Sequence, residues 1–583
     1  MADLRQALLP RFEAALQKAF GDEHAKADPV IRRSERAHFQ ADVAMALAKK
    51  VGKPPRDVAK AIVDVLDVSD LADVEIAGPG FININLKPAV LAEALGAMAS
   101  AGKLGIEAAS PAETVVVDYS SPNVAKEMHV GHVRSTVIGD ALARTLEALG
   151  HRVVRQNHLG DWGTPFGMLI EHLLDLGGDA TAAAASIRDL DDFYRAARGK
   201  FDGDPAFAER ARQRVVLLQG GDAKTLELWR ALVDTSRKYF GAVYAKLGIT
   251  LKDSDVRGES FYNDKLAPVI EELEKKGLTQ VSEGAVCVFP DGFKTKEGTP
   301  LPLIIRKQDG GYGYATTDLA AIRSRILDVG ATRILYVVGS PQQQHFNMIF
   351  SVAKSAGWLK ESMRAEHVAF GSILGPDKKM FKTRSGDTVK LAELVDEAIE
   401  RARAVIDAKD AKNELDDATR AEVARMIGVG AIKYADLSSE RIKDYIFDWA
   451  RMLALQGNTA PYLQYAHARG CRIVSKSEAA DVEASKTAAL LLEAPEERAL
   501  ALELLGFGGV VAAVGETLQP HRLCTYLFAL SNTFTQFYEN CNINKEPKPA
   551  PEIRQSRLAL LRATLPVLAK GLELLGIEAP QRM

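Results

Sequence analysis

The run from Val115 to Gly163 constrains the fold more than any other part of the chain. Thr114 to Asp118 is apolar and β-branched, the pattern of a buried strand. A turn-rich loop with Ser121, Pro122 and Asn123 follows. Val133 to Leu149 reads as a helix, because Ile138, Leu142, Leu146 and Leu149 share one face and Gly150 closes it. Val153 and Val154 begin a second strand. Strand, loop, helix, strand is a βαβ unit, whose crossover implies parallel strands.

The chemistry of this unit lies where loop meets helix, at His129, Val130, Gly131 and His132. Unpaired N–H groups and a partial positive charge at a helix start favour phosphate. Two imidazoles add directional donors, and Lys126 can reach the same anion. Gly131 has no side chain, so a flat group such as a purine is expected to approach the backbone there. The same four residues would also suit a helix start with two solvated histidines, but their neighbours favour the phosphate reading. The motif Pro122-Asn123-Val124-Ala125-Lys126-Glu127-Met128-His129-Val130-Gly131-His132 closely resembles the signature of arginyl-tRNA synthetases. In these class I aminoacyl-tRNA synthetases the His-x-Gly-His element is the ATP-binding "HIGH" sequence. Asn157 to Gly163 is similar to that family's second marker.

At 583 residues the chain is long enough for about three or four domains. The four cysteines, Cys287, Cys471, Cys524 and Cys541, form no CxxC pair, so neither a zinc ribbon nor a redox motif is indicated. Scattered thiols fit a reducing cytoplasm. The first residues lack a basic-then-apolar signal pattern, and the apolar stretch Leu504 to Gly515 reads as too short to span a membrane. A net charge of −3 excludes bulk attraction to nucleic acid and leaves local patches to do that work.

Residues 1–109 read as a small α/β accessory domain. It has a helix over Leu4 to Phe20, helical faces at Val43–Leu47 and Ala59–Leu66, a turn at Gly78–Gly80 and a half-buried strand at Phe81–Leu86. The resemblance implies that it contacts the outer corner of tRNA. Residues 110–390 are expected to form a Rossmann-type parallel-sheet catalytic domain, with further strands at Val286–Phe289, Leu301–Ile305 and Ile334–Val338. An inserted connective peptide is placed at about 190–300, and the alanine-rich Ala180–Ala185 reads as a helix start or solvated turn. Residues 391–456 read as a helical link and 457–583 as a helical bundle. The fold class is therefore multidomain α/β plus all-α.

In the second half of the catalytic domain Tyr314 and Asp318 lie four apart, on one face of a helix. The resemblance places them in an arginine pocket. A guanidinium is planar, permanently charged and donor-rich, so carboxylates and an aromatic face suit it. Asp318 and Glu259 match the family's guanidinium-binding acids, and Tyr314 closes the pocket. Asp118 stands where the family has an acid lining the same site, Asp here where some relatives have Glu. Asn123 and Gln342 match the positions holding the amino and carboxylate end of arginine. Gly371 to Gly386 is glycine-rich and basic, and resembles the mobile Lys-Met-Ser-Lys-Ser loop in the altered form Lys379-Met380-Phe381-Lys382-Thr383. By resemblance Gly371 and Met380 join His129, Gly131 and His132 in binding ATP. Lys126, Lys379 and Lys382 stabilise the leaving pyrophosphate beside the two histidines.

Gly457 to Arg469 resembles the entry to an anticodon-binding bundle. From His521 to the end, eight Lys or Arg against five acids leave a local charge of the right sign for RNA. The resemblance thus implies an arginine–tRNA ligase that uses ATP with Mg²⁺, binds L-arginine and tRNA(Arg), and acts in the cytoplasm as a monomer with no membrane partner. No protein metal site is evident. It also implies that tRNA must be bound before arginine is activated. Two other readings are a nucleotidylyltransferase, which uses the same His-x-Gly-His helix, and a non-catalytic RNA-binding relative. The long helical C-terminal region argues against the first. The intact Lys126, His129, His132, Tyr314 and Asp318 argue against the second.

Overall fold

The structure, a computed structural model, describes residues 4–34, 36–178, 190–381, 389–409 and 415–583. Ala180–Ala185, Lys382 and the rest of the basic loop to Gly386 lie outside the described residues.

In the N-terminal region β1 (Ile31–Arg33), β2 (Phe39–Ala41), β3 (Ala72–Ala77) and β4 (Phe81–Leu86) form an antiparallel sheet in the order β1-β2-β4-β3. Helices Leu4–Phe20, Val43–Val51 and Pro55–Val63 share its core. β4 is an interior strand, so Ile82, Asn83 and Ile84 are all buried instead of alternating. Asn83 meets that environment by accepting from Gln40 (2.8 Å) and donating to Glu75 (3.0 Å).

The βαβ unit is β5 (Thr114–Asp118), helix Gly131–Ala148 and β6 (Arg152–Gln156). Helices Pro165–Asp175, Leu190–Gly203, Pro205–Gln219 and Ala223–Leu247 follow, then a three-stranded antiparallel sheet of β7 (Thr279–Ser282), β8 (Ala285–Val288) and β9 (Leu303–Arg306). After helix Tyr314–Leu327 the chain returns to the main sheet as β10 (Arg333–Tyr336) and β11 (Arg364–His367). The main sheet is parallel throughout, in the order β11-β10-β5-β6. From β5 the chain moves outward to β6 and later resumes on β5's other side at β10. That reversal is the topological switch point where open α/β sheets bind ligands, outside the carboxyl ends of the strands. Tyr336, Asp118 and Gln156 stand in register across those ends.

The helix after β5 carries glycine in mid-span at a helix-propensity cost of roughly 1 kcal/mol. A Cβ at Gly139 would lie 2.3 Å from the Tyr119 side chain, and Tyr119 donates to Asp140, the next residue of the helix (3.2 Å). The missing side chain therefore lets the helix lie directly on the end of the central strand.

C-terminal to β11, β12 (Ile373–Leu374) pairs in parallel with β13 (Tyr445–Ile446), and helices Leu391–Lys409 and Asp417–Leu437 pack between them in sequence. Helices Ala460–Lys476, Pro495–Leu505, Phe507–Thr517, His521–Asn540 and Pro551–Leu574 complete the bundle. Of its aromatic run, Tyr526, Phe534 and Phe537 are core, while Phe528 meets Tyr462 edge-on and Tyr538 carries Arg469 and Lys545 on its ring. The apolar stretch is longer than the sequence reading allowed. Pro495–Thr517 spans 23 residues at mean hydropathy 1.6, long and apolar enough to cross a membrane by composition. Over its most apolar window 56% is buried inside the protein, and Gly506 joins its two helices.

Substituting Gly139→Ala is expected to lower stability despite alanine's better helix propensity. Overpacking costs about 1–3 kcal/mol, more than the roughly 1 kcal/mol that the helix gains. Thermal denaturation checks this; an unchanged or higher melting temperature would contradict the close packing of this helix on Tyr119.

Candidate active site

Three loops extend the sheet beyond its carboxyl ends by pairing with one another. Val124 donates to Gly160 (3.0 Å) and Gly160 to Pro122 (3.2 Å), which sets the Ser-Pro-Asn loop beside the second marker. Asn157 donates to Asp255, Arg257 to Asn157 and Glu259 to Leu159, each at 3.0 Å. Two glycines make this possible: a Cβ at Gly160 or Gly258 would lie 2.2 Å from the carboxamide of Asn123 or the carboxylate of Asp161. Asn123 is exposed at this junction. The first loop also carries three non-glycine residues in the left-handed region, Ser120 (φ 74°), Ser121 (φ 49°) and Ala125 (φ 60°). Such backbone costs roughly 1–3 kcal/mol per residue and persists where surroundings over-determine it. Here Ser135 and Tyr244 hold Ser120, Asn157 holds Ser121, and Ser236 holds Ala125, all through hydrogen bonds of 2.8–3.0 Å.

The loop delivers the histidines as a pair, with ring centroids 4.1 Å apart. The backbone N–H of His129 donates to His132 Nδ1, and that of Gly131 to His129 Nδ1, both at 3.1 Å. An Nδ1 that accepts carries no proton, so both neutral rings are fixed as Nε2–H tautomers. Burial, then the neighbouring His129, then Lys126 hold the His132 imidazolium pKa down at about 4. Burial lowers His129 as well, and Lys126 adds to it against the opposing pull of Asp191. The site therefore offers two neutral N–H donors beside one ammonium. The space above Gly131 belongs to His129: a Cβ would meet that ring at 2.8 Å. A purine approaching the bare backbone there would have to share that space with the His129 ring. The first N–H groups of the helix are likewise engaged, Gly131 with His129's ring, His132 with His129's carbonyl and Val133 with Val130's. Donation to an anion therefore falls to the side chains.

Lys126 places its ammonium 4.2 Å from the Tyr194 ring centroid. Glu127 pairs with Lys390 (3.0 Å), and its N–H donates to Asp191 (3.0 Å). The chain just beyond the basic loop is joined to the histidine motif: Val130 donates to Val389 (2.9 Å) and Leu391 to Met128 (2.8 Å). The base of that loop is a tight hairpin in which Gly375 donates to Lys379 (2.7 Å) and Phe381 to Ile373 (3.2 Å). Lys379 and Met380 are exposed on it. Phe381, where the family motif has serine, stacks on Phe447 at 4.5 Å. Gly371 is kept bare by the chain opposite it, since a Cβ would lie 2.6 Å from Asp444 and 2.8 Å from the Ile442 carbonyl. Buried Arg134, just past the histidines, bonds Asp436 (3.1 Å) and the Lys443 carbonyl (2.9 Å), which ties its helix to helix Asp417–Leu437 and to the chain leading into β13. Lys382 lies outside the described residues.

A cluster of acids forms the other half of the site. Burial, then Asp161, then Asp318 raise the Glu259 carboxyl to about 8. Asp161 is itself occupied: Ser260 donates to it through N–H (2.8 Å) and hydroxyl (2.7 Å). Asp318 accepts from His345 Nε2 at 2.6 Å. Tyr314, first residue of its helix, is 77% exposed. Gln342 ends a short 3₁₀ turn, exposed, with Gln343 and Gln344 already in the next helix. Asp118 departs from the expectation that it lines the pocket directly. Its Oδ2 accepts from Arg325 (2.7 Å) and its Oδ1 from Ser121 (3.1 Å). Arg325 also bonds Gln156 (2.7 Å) and lies 4.8 Å over the Tyr336 ring. Burial would lower the Arg325 pKa, but Asp118 beside it keeps the guanidinium charged.

Sequence reasoning missed Arg325, Asp161, His345 and Tyr194. Arg325 had a usable signal, since it follows Asp318 by seven residues and so lies on the same side of one helix.

Residues 95–449 match the family model for class I (R) tRNA synthetases, catalytic domain. Residues 463–583 match the DALR anticodon binding domain, and residues 6–86 the arginyl tRNA synthetase N-terminal domain. The chain is 54% identical to an arginine–tRNA ligase of Thermobifida fusca, across all of both chains. It is 48% identical to that of Frankia casuarinae, across 99% of each. Among solved structures, it resembles the arginyl-tRNA synthetase of Plasmodium falciparum with TM-score 0.82 and 28% identity, over all of this chain and 99% of the other. It resembles that of Thermus thermophilus with TM-score 0.78 and 25% identity, over all of both chains.

The tautomer assignment is open to direct measurement. In ¹H–¹⁵N correlation spectra His132 should show the neutral Nε2–H pattern with no titration between about pH 5.5 and 8, its unperturbed pKa being about 6.5. A midpoint near 6.5, or a proton on Nδ1, would contradict the hydrogen bonding described.

Proposed function

The chain belongs to the class I arginyl-tRNA synthetases, and we propose how its residues divide the work of joining L-arginine to tRNA(Arg) at the expense of ATP. In the first step the arginine carboxylate attacks the α-phosphate, giving arginyl-adenylate and pyrophosphate. In the second a hydroxyl of the terminal tRNA ribose attacks the adenylate carbonyl and releases AMP. Neither step needs covalent chemistry from a side chain, so the protein contributes alignment and charge stabilisation.

His129 and His132 donate their Nε2–H groups to the ATP phosphates. Lys126 on one side, with Lys379 and Lys382 from the basic loop on the other, meet the charge that builds on pyrophosphate. Met380 and Gly371 border the nucleotide. ATP enters as its Mg²⁺ complex, the ion supplying countercharge to the phosphates. Glu259 and Asp318 take the arginine guanidinium, Tyr314 folds over it, and Asn123 and Gln342 hold the amino and carboxylate end. Asp118 serves indirectly, through Arg325. The observation that carries this assignment is the Glu259 carboxyl, driven up to about 8 by burial and by Asp161 and Asp318. A half-buried group of acids held at such a cost calls for a cation.

The helical region from 457 takes the anticodon arm, and residues 1–109 the outer corner of the tRNA. The protein works as a monomer on this reading, and four unpaired cysteines suit the cytoplasm.

Pyrophosphate exchange into ATP tests the reading. It should depend on arginine and be stimulated by tRNA(Arg). A nucleotidylyltransferase would exchange without arginine, and a non-catalytic relative would not exchange. The pH dependence follows from Glu259. Below about 8 the free carboxyl holds a proton that must leave before it can pair with a guanidinium. The KM for arginine should therefore fall as pH rises from 6 to 8, and binding should release protons. A flat profile with no proton release would remove Glu259 from the pocket.

A further inference from the structure

The geometry points to Tyr194 as a positioning residue that fixes Lys126 at the phosphate site without spending its charge; the inference rests on the role given to Lys126 above. Lys126 is the ammonium nearest the histidine pair along the chain, and its charge lowers the pKa of both rings. A lysine on a loop has four rotatable bonds and no preferred direction. Two devices could hold it. A carboxylate would do so by neutralising the charge that pyrophosphate needs. An aromatic face attracts the ammonium through its quadrupole and leaves the N–H donors and the full charge available.

The structure uses the second device. The Lys126 ammonium lies 4.2 Å from the Tyr194 centroid, well inside the distance at which the attraction counts. The two nearby acids are turned elsewhere, Glu127 to Lys390 (3.0 Å) and Asp191 to the Glu127 N–H (3.0 Å). Asp191 and Tyr194 are three apart at the start of helix Leu190–Gly203, so one helix face grips both Lys126 and the residue after it. Leu190, Phe193 and Ala197 bury that helix, and Tyr194 itself packs against the main core. The ring is thus a fixed wall of the site. The helix falls within the stretch read as inserted connective peptide, which gives that insertion a part in adenylate formation.

Arginine-dependent pyrophosphate exchange by the full-length protein, with tRNA(Arg) present, tests this with Tyr194→Leu, Tyr194→Phe, Lys126→Ala and Lys126→Ala combined with Tyr194→Leu. Tyr194→Leu should lower kcat by about 3–30-fold and leave the KM for arginine unchanged. Tyr194→Phe keeps the π face and should stay within about twofold of wild type. In the Lys126→Ala background Tyr194→Leu should cost no more than about twofold. Tyr194→Gln replaces the leucine variant if that protein is insoluble. The inference is overturned if loss of the ring leaves kcat unchanged, if phenylalanine is as damaging as leucine, or if the loss is as large without Lys126. Wild-type kcat for Lys126→Ala alone would overturn the role of Lys126 first, a result distinct from a failure of Tyr194.

Discussion

The buried pair of Asp118 and Arg325, at 2.7 Å, fixes where the proposed arginine pocket can form. It joins the carboxyl end of the central strand to the helix Tyr314–Leu327, which carries Tyr314 and Asp318. Arg325 also reaches Gln156 on β6 and covers Tyr336 on β10, so one guanidinium links three strands of the sheet at its switch point. Removing one partner of such a pair strands a buried charge, at a cost of about 3–5 kcal/mol. Asp318 lies two helical turns from Arg325, and its distance from Glu259 is set by how that helix sits on the sheet. A guanidinium of the chain itself thus fixes the frame of the pocket proposed for the substrate's guanidinium.

The side proposed to bind phosphate is built by a different device. Its loop is strained at Ser120, Ser121 and Ala125, and side chains from β6's extension and from helix Ala223–Leu247 hold it. The strain orients the backbone so that two N–H groups cap two imidazoles and leave both Nε2–H groups for a ligand. The chain on either side of the basic loop is also anchored, upstream by the hairpin at Leu374–Met380 and downstream by Lys390 and Leu391 against the histidine motif. Arg134 adds a buried link from that motif to helix Asp417–Leu437 and the chain leading into β13. The histidine motif and the base of the basic loop are therefore mechanically connected.

Much of this was legible in sequence because it rests on periodicity and on short-range motifs. The β5–helix–β6 unit and the helix at Leu4–Phe20 follow the apolar spacing, and β8, β9 and β10 fall within two residues of their expected positions. β7 escaped because Val281 faces outward between polar neighbours, and β13 because it is two residues long. Pairwise contacts across long separations left little trace. Nothing local marks His345 as the partner of Asp318, or Arg325 as the group that would claim Asp118. The contact of the His129 ring with Gly131, two residues further on, also left no sequence trace, because it depends on the loop's left-handed turns.

In the proposed pocket, paired acids at the switch point select a cation of guanidinium shape. Citrulline has nearly the same shape as arginine and no charge, so it isolates that term. Titration calorimetry of the wild-type protein with each amino acid, with ATP analogue and tRNA(Arg) held constant, measures it directly. Loss of a buried charged partner costs about 2–5 kcal/mol, so citrulline should bind at least about thirtyfold more weakly than arginine. Binding of citrulline within a few-fold of arginine would show that Glu259 and Asp318 do not pair with the substrate's charge.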